Sequence, residues 1–246
     1  MTTPVVPRIS WADFLRVFDW KQDQHVSMIG TTGAGKSVLG LLLMERRKFS
    51  VAFGTKPKDR TLTQMANKGH WTRIRSWDER TQPVIIKGTP NAAIPPERYI
   101  LWPTFKRIED VKRHRHVFED ALDDIWLSGA WSVFGDEVWY LTKKLGLGPK
   151  LEEYWSQGRS LGVSLVTATQ RPAHVPLLMY SQAGHLFVWR TNDVRDAKRL
   201  REVGGFVDQD AMFKAVRTLD FRRHEVLWIS TTDGRMAITI PPDPNS

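Results

Sequence analysis

The chain has 246 residues, of which 41% are hydrophobic, so it is long enough to bury a core and too apolar to be disordered throughout. It contains no cysteine, which excludes a disulfide framework and a thiolate metal site. Lys and Arg (36) outnumber Asp and Glu (27), and the net charge of +9 favours a polyanionic partner, either nucleic acid or an anionic membrane surface; solubility is the simpler alternative.

Helices and short apolar strands alternate along the chain. The first helix is expected over Ser10–Phe18, where Ser10 caps the N-terminus and Asp13 takes the capping-box position. The further expected helices are 36–47, 107–127, 151–161 and 193–203, and the expected strands are 25–29, 50–54, 99–102, 132–134, 163–168, 186–189 and 225–230. Continuous apolar strands between helices are typical of a mostly parallel sheet with helices on both faces.

This pattern predicts an α/β protein with a single domain over residues 25–240. A helical segment at 1–24 is expected to pack on that domain, and a flexible tail is expected at 241–246. Residues 56–103 are the least regular part and are a candidate for an insertion. No apolar run is long enough to span a bilayer, and the N-terminus lacks the apolar core of a secretory signal. We therefore expect a cytoplasmic protein.

A complete G-x-x-x-x-G-K-[ST] pattern lies between the first expected strand and the next helix. Its glycines let the backbone wrap a phosphate, and the helix N-terminus points at that phosphate. In this pattern the lysine reaches the β and γ phosphates, and the hydroxyl that follows it reaches magnesium. The sequence therefore predicts that ATP and Mg²⁺ bind here. The matching residues are Gly30, Thr31, Thr32, Gly33, Ala34, Gly35, Lys36 and Ser37.

Two adjacent carboxylates end a later apolar strand. Asp136 is suited to hold the magnesium, and Glu137 is placed to orient and deprotonate the attacking water. Many strands end in an acidic residue, so this pair is weak evidence alone. Because a phosphate loop lies about 100 residues upstream, the hydrolytic role is favoured over the purely structural one.

A third motif, G-R-S-x-G-V-x-L-V-x-A-T-Q-R-P, runs from Gly158 to Pro172. Together with the two earlier motifs it resembles the FtsK/HerA superfamily of DNA-pumping ATPases, over roughly residues 25–205. The resemblance implies a RecA-like P-loop fold and a γ-phosphate-sensing role for Gln170. It also implies that Arg159 is an arginine finger acting on a neighbouring subunit; the alternative is a cation that stabilises a helix C-terminus.

An arginine finger acting between subunits requires an oligomer, and the resemblance implies a closed homo-oligomeric ring, expected to be hexameric, with double-stranded DNA through its centre. Positive charge in the hole would follow the DNA backbone without reading its sequence. The candidate DNA contacts are Lys143, Lys144 and Lys150, in a glycine-containing loop after the acidic strand. A solvated turn is the alternative for this loop.

The sequence is therefore expected to encode an ATP-hydrolysing double-stranded DNA translocase. We expect a motor without the membrane-spanning or DNA-reading additions found in the larger relatives. It is similar to the small genome-packaging ATPases of tailless, membrane-containing viruses. This implies a location in the host cytoplasm or in association with the virion, and a capsid or membrane portal protein as a docking partner. The alternatives are a mobile-element or plasmid DNA-transfer ATPase, and a nucleotide-dependent scaffold that does not pump DNA.

Overall fold

The computed structural model describes residues 5–68, 70–80, 96–191, 199–200 and 207–243. Within them one sheet has the strand order β3-β4-β2-β5-β6-β1-β7-β8-β9. Neighbours from β3 to β7 are parallel, and β8 and β9 extend the sheet antiparallel, which confirms the mostly parallel α/β prediction. The strands are β1 His25–Ile29, β2 Phe49–Phe53, β3 Thr72–Ile74, β4 Glu97–Leu101, β5 Ser132–Gly135, β6 Ser164–Thr169, β7 Ala183–Val188, β8 Val226–Ser230 and β9 Met236–Thr239.

Helices cover both faces of this sheet. The residues buried from α1, α2 and α3 pack with one face, and those from α4, α5, α6 and α7 pack with the other. None of the helices in the described ranges is both long and apolar enough to cross a membrane. The helices are α1 Trp11–Val17, α2 Lys36–Met44, α3 Arg60–Asn67, α4 Val111–Ser128, α5 Gly148–Gln157, α6 Leu178–Ser181 and α7 Gln209–Thr218.

The central strands contribute to both cores because successive side chains point to opposite faces. In β2, Val51 and Phe53 join the core under α4 and α5, whereas Ala52 joins the core under α2. In β5, Val133 and Phe134 divide in the same way. Burial on both faces explains why these strands appear in the sequence as continuous apolar runs.

The predicted N-terminal helix is present as α1. The Ser10 hydroxyl accepts a hydrogen bond from the Asp13 backbone amide at 3.1 Å, as the capping pattern predicts. Phe14 is fully buried, and its ring centre lies 5.9 Å from that of Phe187 and 5.5 Å from that of Trp228, edge to face in both pairs. These aromatic contacts hold α1 on the strands β7 and β8.

Several element boundaries differ from the sequence predictions. Helix α2 stops at Met44 rather than at residue 47, and α4 is preceded by a 3₁₀ turn at Ile108–Asp110. Helix α5 begins earlier than predicted because Pro149 lies in its first turn, where the missing amide hydrogen costs nothing. The end of the predicted helix is a separate 3₁₀ turn at Gly158–Leu161.

Five of the helices and strands named above were not predicted: α3, β3, α6, α7 and β9. The strands β3 and β4 of the irregular region 56–103 form one edge of the sheet, while residues 81–95 lie outside the described part. The predicted helix 193–203 also falls outside it, apart from residues 199–200. Of the expected flexible tail, residues 241–243 are described, and they line the same cleft as the phosphate loop.

Candidate functional site

The phosphate loop connects β1 to α2 at the carboxyl edge of the sheet, where ligands of parallel α/β folds bind. Gly33 and Gly35 have φ angles of 76° and 106°, in the left-handed region that favours glycine. A Cβ on Gly30 would lie 2.9 Å from the Cβ of Trp189, so this position also requires glycine. The local backbone therefore has the curvature that the motif predicts.

Lys36 is the first residue of α2 and lies against the loop. Its ammonium donates to the Gly30 carbonyl at 2.7 Å and to the Thr31 carbonyl at 2.8 Å. Burial lowers the pKa of Lys36, and the nearby carboxylates of Asp136 and Glu137 partly oppose that shift. The loop thus holds a buried ammonium at its centre, which is the charge that bound phosphates require.

Ser37 and Asp136 meet across the site, as predicted. The Ser37 hydroxyl donates to Oδ2 of Asp136 at 2.9 Å, and Asp136 directly follows β5. Hydroxyl and carboxylate oxygens are ligands that Mg²⁺ accepts, and it commonly takes the rest of its shell from substrate phosphates and water. This pair of oxygens therefore fits the predicted magnesium site.

Glu137 occupies an uncommon backbone conformation for a residue with a side chain, with φ at 61°. Burial raises the pKa of its carboxyl and the Asp136 charge raises it further, while Lys36, Lys56 and a hydrogen bond from Gln170 oppose the shift. A carboxylate with a raised pKa is a stronger base than a solvated one. Strain of ~1–3 kcal/mol at this position is typical of functional residues.

Gln170 follows β6, which pairs with β1 in parallel, so its side chain reaches the phosphate loop as predicted. Its amide oxygen accepts from the Thr32 hydroxyl at 2.7 Å, and its side chain also hydrogen bonds to Glu137. One amide therefore connects the phosphate loop to the predicted base. A change at Thr32 can therefore reach Glu137 through the Gln170 side chain.

Arg159 lies in the 3₁₀ turn before β6, at the amino ends of the strands and therefore opposite the phosphate loop. Its side chain is 56% exposed, and one guanidinium nitrogen lies 3.9 Å from an Asp23 carboxylate oxygen. The six residues of β6 separate it from Gln170, a distance of roughly 20 Å at about 3.3 Å per residue. The structure thus keeps Arg159 away from the phosphate loop of its own subunit.

The segment 143–150, which contains the candidate DNA contacts, was predicted to be an exposed loop, and this prediction of its conformation was wrong. The segment Tyr140–Lys144 is a π-helical turn, α5 starts at Gly148, and the leucines between them, Leu145 and Leu147, are buried. Apolar side chains that reach the core give this segment regular structure, which its glycines alone did not suggest.

The three lysines of that segment also have different surroundings. Lys143 and Lys144 are exposed, and the Lys144 ammonium lies 5.7 Å from the centre of the Trp139 ring. Lys150 forms an ion pair with Asp123 at 2.5 Å, a contact that the sequence did not indicate. Lys150 is therefore the weakest of the three candidate DNA contacts.

Sequence reasoning missed Lys56, whose ammonium lies 3.0 Å from the same Oδ2 of Asp136 that accepts from Ser37. The available signal was a lysine three residues after a buried strand. The position of Lys56 in the sequence does not reveal this contact, because the contact depends on β2 and β5 being neighbours in the sheet, with their ends close together.

A cleft of about 730 Å³ contains the phosphate loop, Asp136 and Gln170, and its volume suits a nucleotide-sized ligand. Arg222, Arg223 and His224 close one side, together with residues 240–243. His224 has a φ of 55°, and its Nδ1 lies 3.3 Å from the Ala34 carbonyl oxygen. This side of the cleft was also absent from the sequence predictions.

No protein-family profile matches the chain, and no curated protein matches it in sequence. The structure is similar to the genome packaging NTPase B204 from Sulfolobus turreted icosahedral virus 2, with a TM-score of 0.59 and 14% identity over 91% of this chain and 99% of B204. It is also similar to VirB4 of Thermoanaerobacter pseudethanolicus, with a TM-score of 0.56 and 13% identity over 90% of each chain.

The pCW3 conjugation coupling protein TcpA gives a TM-score of 0.53 and 15% identity, over 91% of this chain and 62% of TcpA. At these identities the likenesses establish the fold. The predicted fold, an α/β P-loop NTPase with a mostly parallel sheet, is confirmed.

Proposed function

We propose that the chain is an ATP-driven double-stranded DNA translocase that acts as a viral genome-packaging motor. The observation that carries this proposal is that Lys36, Ser37, Asp136 and Gln170 line one cleft at the carboxyl ends of the strands and that Glu137 interacts with three of them. These side chains form a set suited to hydrolysis of a nucleoside triphosphate. The name of B204, a genome packaging NTPase of matching length, supports packaging over other uses of the same fold.

Each of these five residues has a part in the proposed hydrolysis of ATP to ADP and phosphate. Lys36 and the loop amides hold the β and γ phosphates, and Ser37 and Asp136 hold Mg²⁺. When bound, the magnesium ion neutralises charge on the phosphate oxygens. Glu137 takes a proton from the attacking water, and Gln170 reports the terminal phosphate to Glu137 through its two hydrogen bonds.

The position of Arg159 supports a homo-oligomeric ring, which we propose to be hexameric. A half-exposed guanidinium at the far edge of the sheet cannot reach the nucleotide of its own subunit, but it can reach that of a neighbour if the far edge of one subunit meets the nucleotide edge of the next. There it would stabilise the charge that develops on the transferred phosphoryl group. Repetition of this one contact closes a ring.

Double-stranded DNA is the proposed polyanion, since the net charge is +9 and sequence-independent binding uses the phosphate backbone. Lys143 and Lys144, exposed and close to the acidic strand end, are the candidate contacts that the structure supports best. A capsid or membrane portal protein is the proposed docking partner, and the host cytoplasm or the virion the proposed location.

The ATP hydrolysis rate, measured with and without duplex DNA on a sample that is also imaged for rings, tests the proposal. We expect rings, and a rate that duplex DNA of any sequence raises severalfold. The Glu137→Gln variant, run beside it, controls for contaminating ATPases. ATP hydrolysis that ignores DNA in well-formed rings would favour the scaffold alternative and contradict a translocase.

A plasmid or mobile-element DNA-transfer ATPase is the second candidate. The names of VirB4 and of the conjugation coupling protein TcpA favour it, since both share this fold. Both candidates predict DNA-stimulated hydrolysis, so that assay does not separate them. Capsid genes beside the gene for this chain would support packaging, and relaxase or conjugation genes would support transfer.

A further inference from the structure

Lys56 competes for the atom that would hold magnesium. Its Nζ lies 3.0 Å from Oδ2 of Asp136, and the Ser37 hydroxyl donates to the same oxygen at 2.9 Å. Ser37 and Asp136 are the pair of oxygens that fits Mg²⁺. An ammonium and a divalent cation on one carboxylate oxygen repel each other, so Lys56 and the metal are expected to exclude one another there.

The backbone of Lys56 is fixed, whereas its side chain can turn within the cleft. The Trp102 indole donates to the Lys56 carbonyl oxygen at 2.8 Å, and a Cβ on Gly54 would lie 2.6 Å from Trp102. The Lys56 side chain is 45% exposed and lines the cleft. A second carboxylate in the cleft, that of Asp59, lies 3.9 Å from the ammonium, so Asp136 is not the only anionic partner within reach of Lys56 in the described part of the chain.

The charges in the cleft also favour a move of Lys56 towards bound phosphate. The cations Lys36 and Lys56 face the two carboxylates of Asp136 and Glu137, and the charge of Lys56 acts on both Lys36 and Glu137. Magnesium–ATP brings a net negative charge into this balanced group, and magnesium–ADP brings a smaller one. The terminal phosphate is therefore the strongest new attraction for an ammonium displaced from Asp136.

We propose that Lys56 leaves Asp136 when magnesium–ATP binds and that its ammonium then contacts the terminal phosphate, so that Lys56 distinguishes ATP from ADP. This inference rests on the proposed ATP site. It assigns the cleft two lysines with different tasks. Lys36 is held by the loop carbonyls and holds nucleotide in either state. Lys56 is held by the carboxylate of Asp136, which is also a metal ligand. When the metal binds Asp136, the Lys56 ammonium moves to the terminal phosphate.

The test is a set of dissociation constants for ATP and ADP carrying a fluorescent ribose label, each measured in excess Mg²⁺ and in EDTA at times too short for turnover. The Lys56→Gln variant loses the charge but can still donate a hydrogen bond to Asp136, and Lys56→Arg keeps the charge. Lys112→Gln is the control, since Lys112 is an exposed lysine of α4 that does not line the cleft. Thermal melts verify that each variant is folded.

With Mg²⁺, we expect Lys56→Gln to weaken ATP binding by ~10-fold or more and ADP binding by less than ~2-fold. In EDTA the ratio of the ATP and ADP dissociation constants should differ by less than ~3-fold between Lys56→Gln and the wild type, because without Mg²⁺ Lys56 stays on Asp136. Lys56→Arg and Lys112→Gln should keep the wild-type ratio of the ATP and ADP constants within ~3-fold. An equal loss for ATP and ADP, or the same ATP-specific loss in EDTA, would overturn the inference. If the wild-type chain binds neither nucleotide, the proposed function fails as well.

Discussion

The two ends of the parallel strands differ in how their functional side chains are held. We call the carboxyl ends, where the phosphate loop lies, the nucleotide edge, and the amino ends, where Arg159 lies, the far edge. At the nucleotide edge the polar groups have partners from other parts of the chain: Asp136 accepts from Ser37 and Lys56, and Gln170 joins Thr32 to Glu137. At the far edge Arg159 is half-exposed, and its contact with Asp23 is a long ion pair of 3.9 Å between two solvated groups. Such a pair contributes ~0–1 kcal/mol, so it leaves the guanidinium available.

The backbone at the far edge is nevertheless well fixed. The Gln22 side chain donates to the carbonyl oxygens of Ala130 and Gly162, at 3.2 Å and 3.0 Å, and the Ala130 amide donates to the Leu161 carbonyl. The turn that carries Arg159 is thus anchored while its guanidinium is presented to solvent. A completed site at one edge and a presented cation at the other are what a head-to-tail contact between subunits requires.

The largest expected effect comes from breaking the nucleotide edge itself. Lys36→Ala removes the buried ammonium at the centre of the phosphate loop, so we expect ATP hydrolysis to fall by at least ~10³-fold and ATP binding to weaken strongly. A steady-state phosphate-release assay and a nucleotide titration measure the two effects. Turnover at the wild-type rate would refute the assignment of this loop.

Glu137→Gln should separate binding from chemistry at the same edge. Glutamine has almost the same shape but cannot take a proton from water, so hydrolysis should fall by ~10³-fold while ATP affinity stays within a few-fold. Asp136→Asn is the contrasting variant and should raise the Mg²⁺ concentration required for binding. If the Glu137→Gln variant hydrolyses ATP normally, the base is another residue.

The sequence predicted the nucleotide edge well because its motifs are local. A phosphate loop between a strand and a helix, and an acidic pair after a strand, need few contacts from elsewhere to be placed. Lys56 was missed because its role depends on β2 lying beside β5. The ion pair of Lys150 was missed because Asp123, its partner, lies on a different helix. Local conformation could be predicted from the sequence, whereas contacts between residues far apart in the chain could not.

At the far edge, Arg159→Ala should reduce hydrolysis by ~10³-fold and leave ATP affinity largely unchanged, because the guanidinium acts on a neighbour's nucleotide. Rings that mix Arg159→Ala and Glu137→Gln subunits provide the decisive measurement. Some interfaces of such rings combine an intact Glu137 with an intact Arg159, and we expect these to recover part of the activity. Arg159→Lys is a useful companion, since it keeps the charge but not the planar fork.

No recovery at any mixing ratio, in rings shown to contain both variants, would contradict the assignment of Arg159 to the neighbouring site. Loss of ATP affinity in pure Arg159→Ala rings would contradict it too. Either result would favour the alternative in which Arg159 only stabilises the end of its turn.

The far edge also contains an acid-sensitive group, His25 at the start of β1. Burial, and then the nearby Arg159 charge, lowers the pKa of His25 from 6.5 to about 4. The unfolded chain therefore takes up a proton in a pH range where the folded chain does not, and stability falls as the pH drops through that range. We expect a loss of ~2 kcal/mol between pH ~7 and pH ~5 from this residue.

Urea denaturation of the wild-type chain and of His25→Gln at both pH values measures this contribution. In the wild-type chain the Leu165 amide donates a hydrogen bond to His25 Nδ1 at 3.0 Å. The side-chain oxygen of glutamine can still accept this hydrogen bond. The variant should lose less stability on acidification than the wild type does. His185 has a pKa that burial lowers to about 4 as well, so part of the acid sensitivity should remain. Equal losses in the two proteins would exclude His25 as a source.

The smallest expected effect concerns which edge faces DNA. Lys143 and Lys144 lie just past the acidic strand end, on the nucleotide side, and reversing both to Glu should weaken duplex binding by ~10-fold while basal ATP hydrolysis is kept. The matched control reverses Lys21 and Arg46, two exposed cations at the far edge, and changes the net charge equally. Affinity measured at several salt concentrations should show a shallower salt dependence for the first pair alone, because fewer counterions are released. If both reversals act equally, the effect reflects net charge, and Lys143 and Lys144 do not line the DNA path.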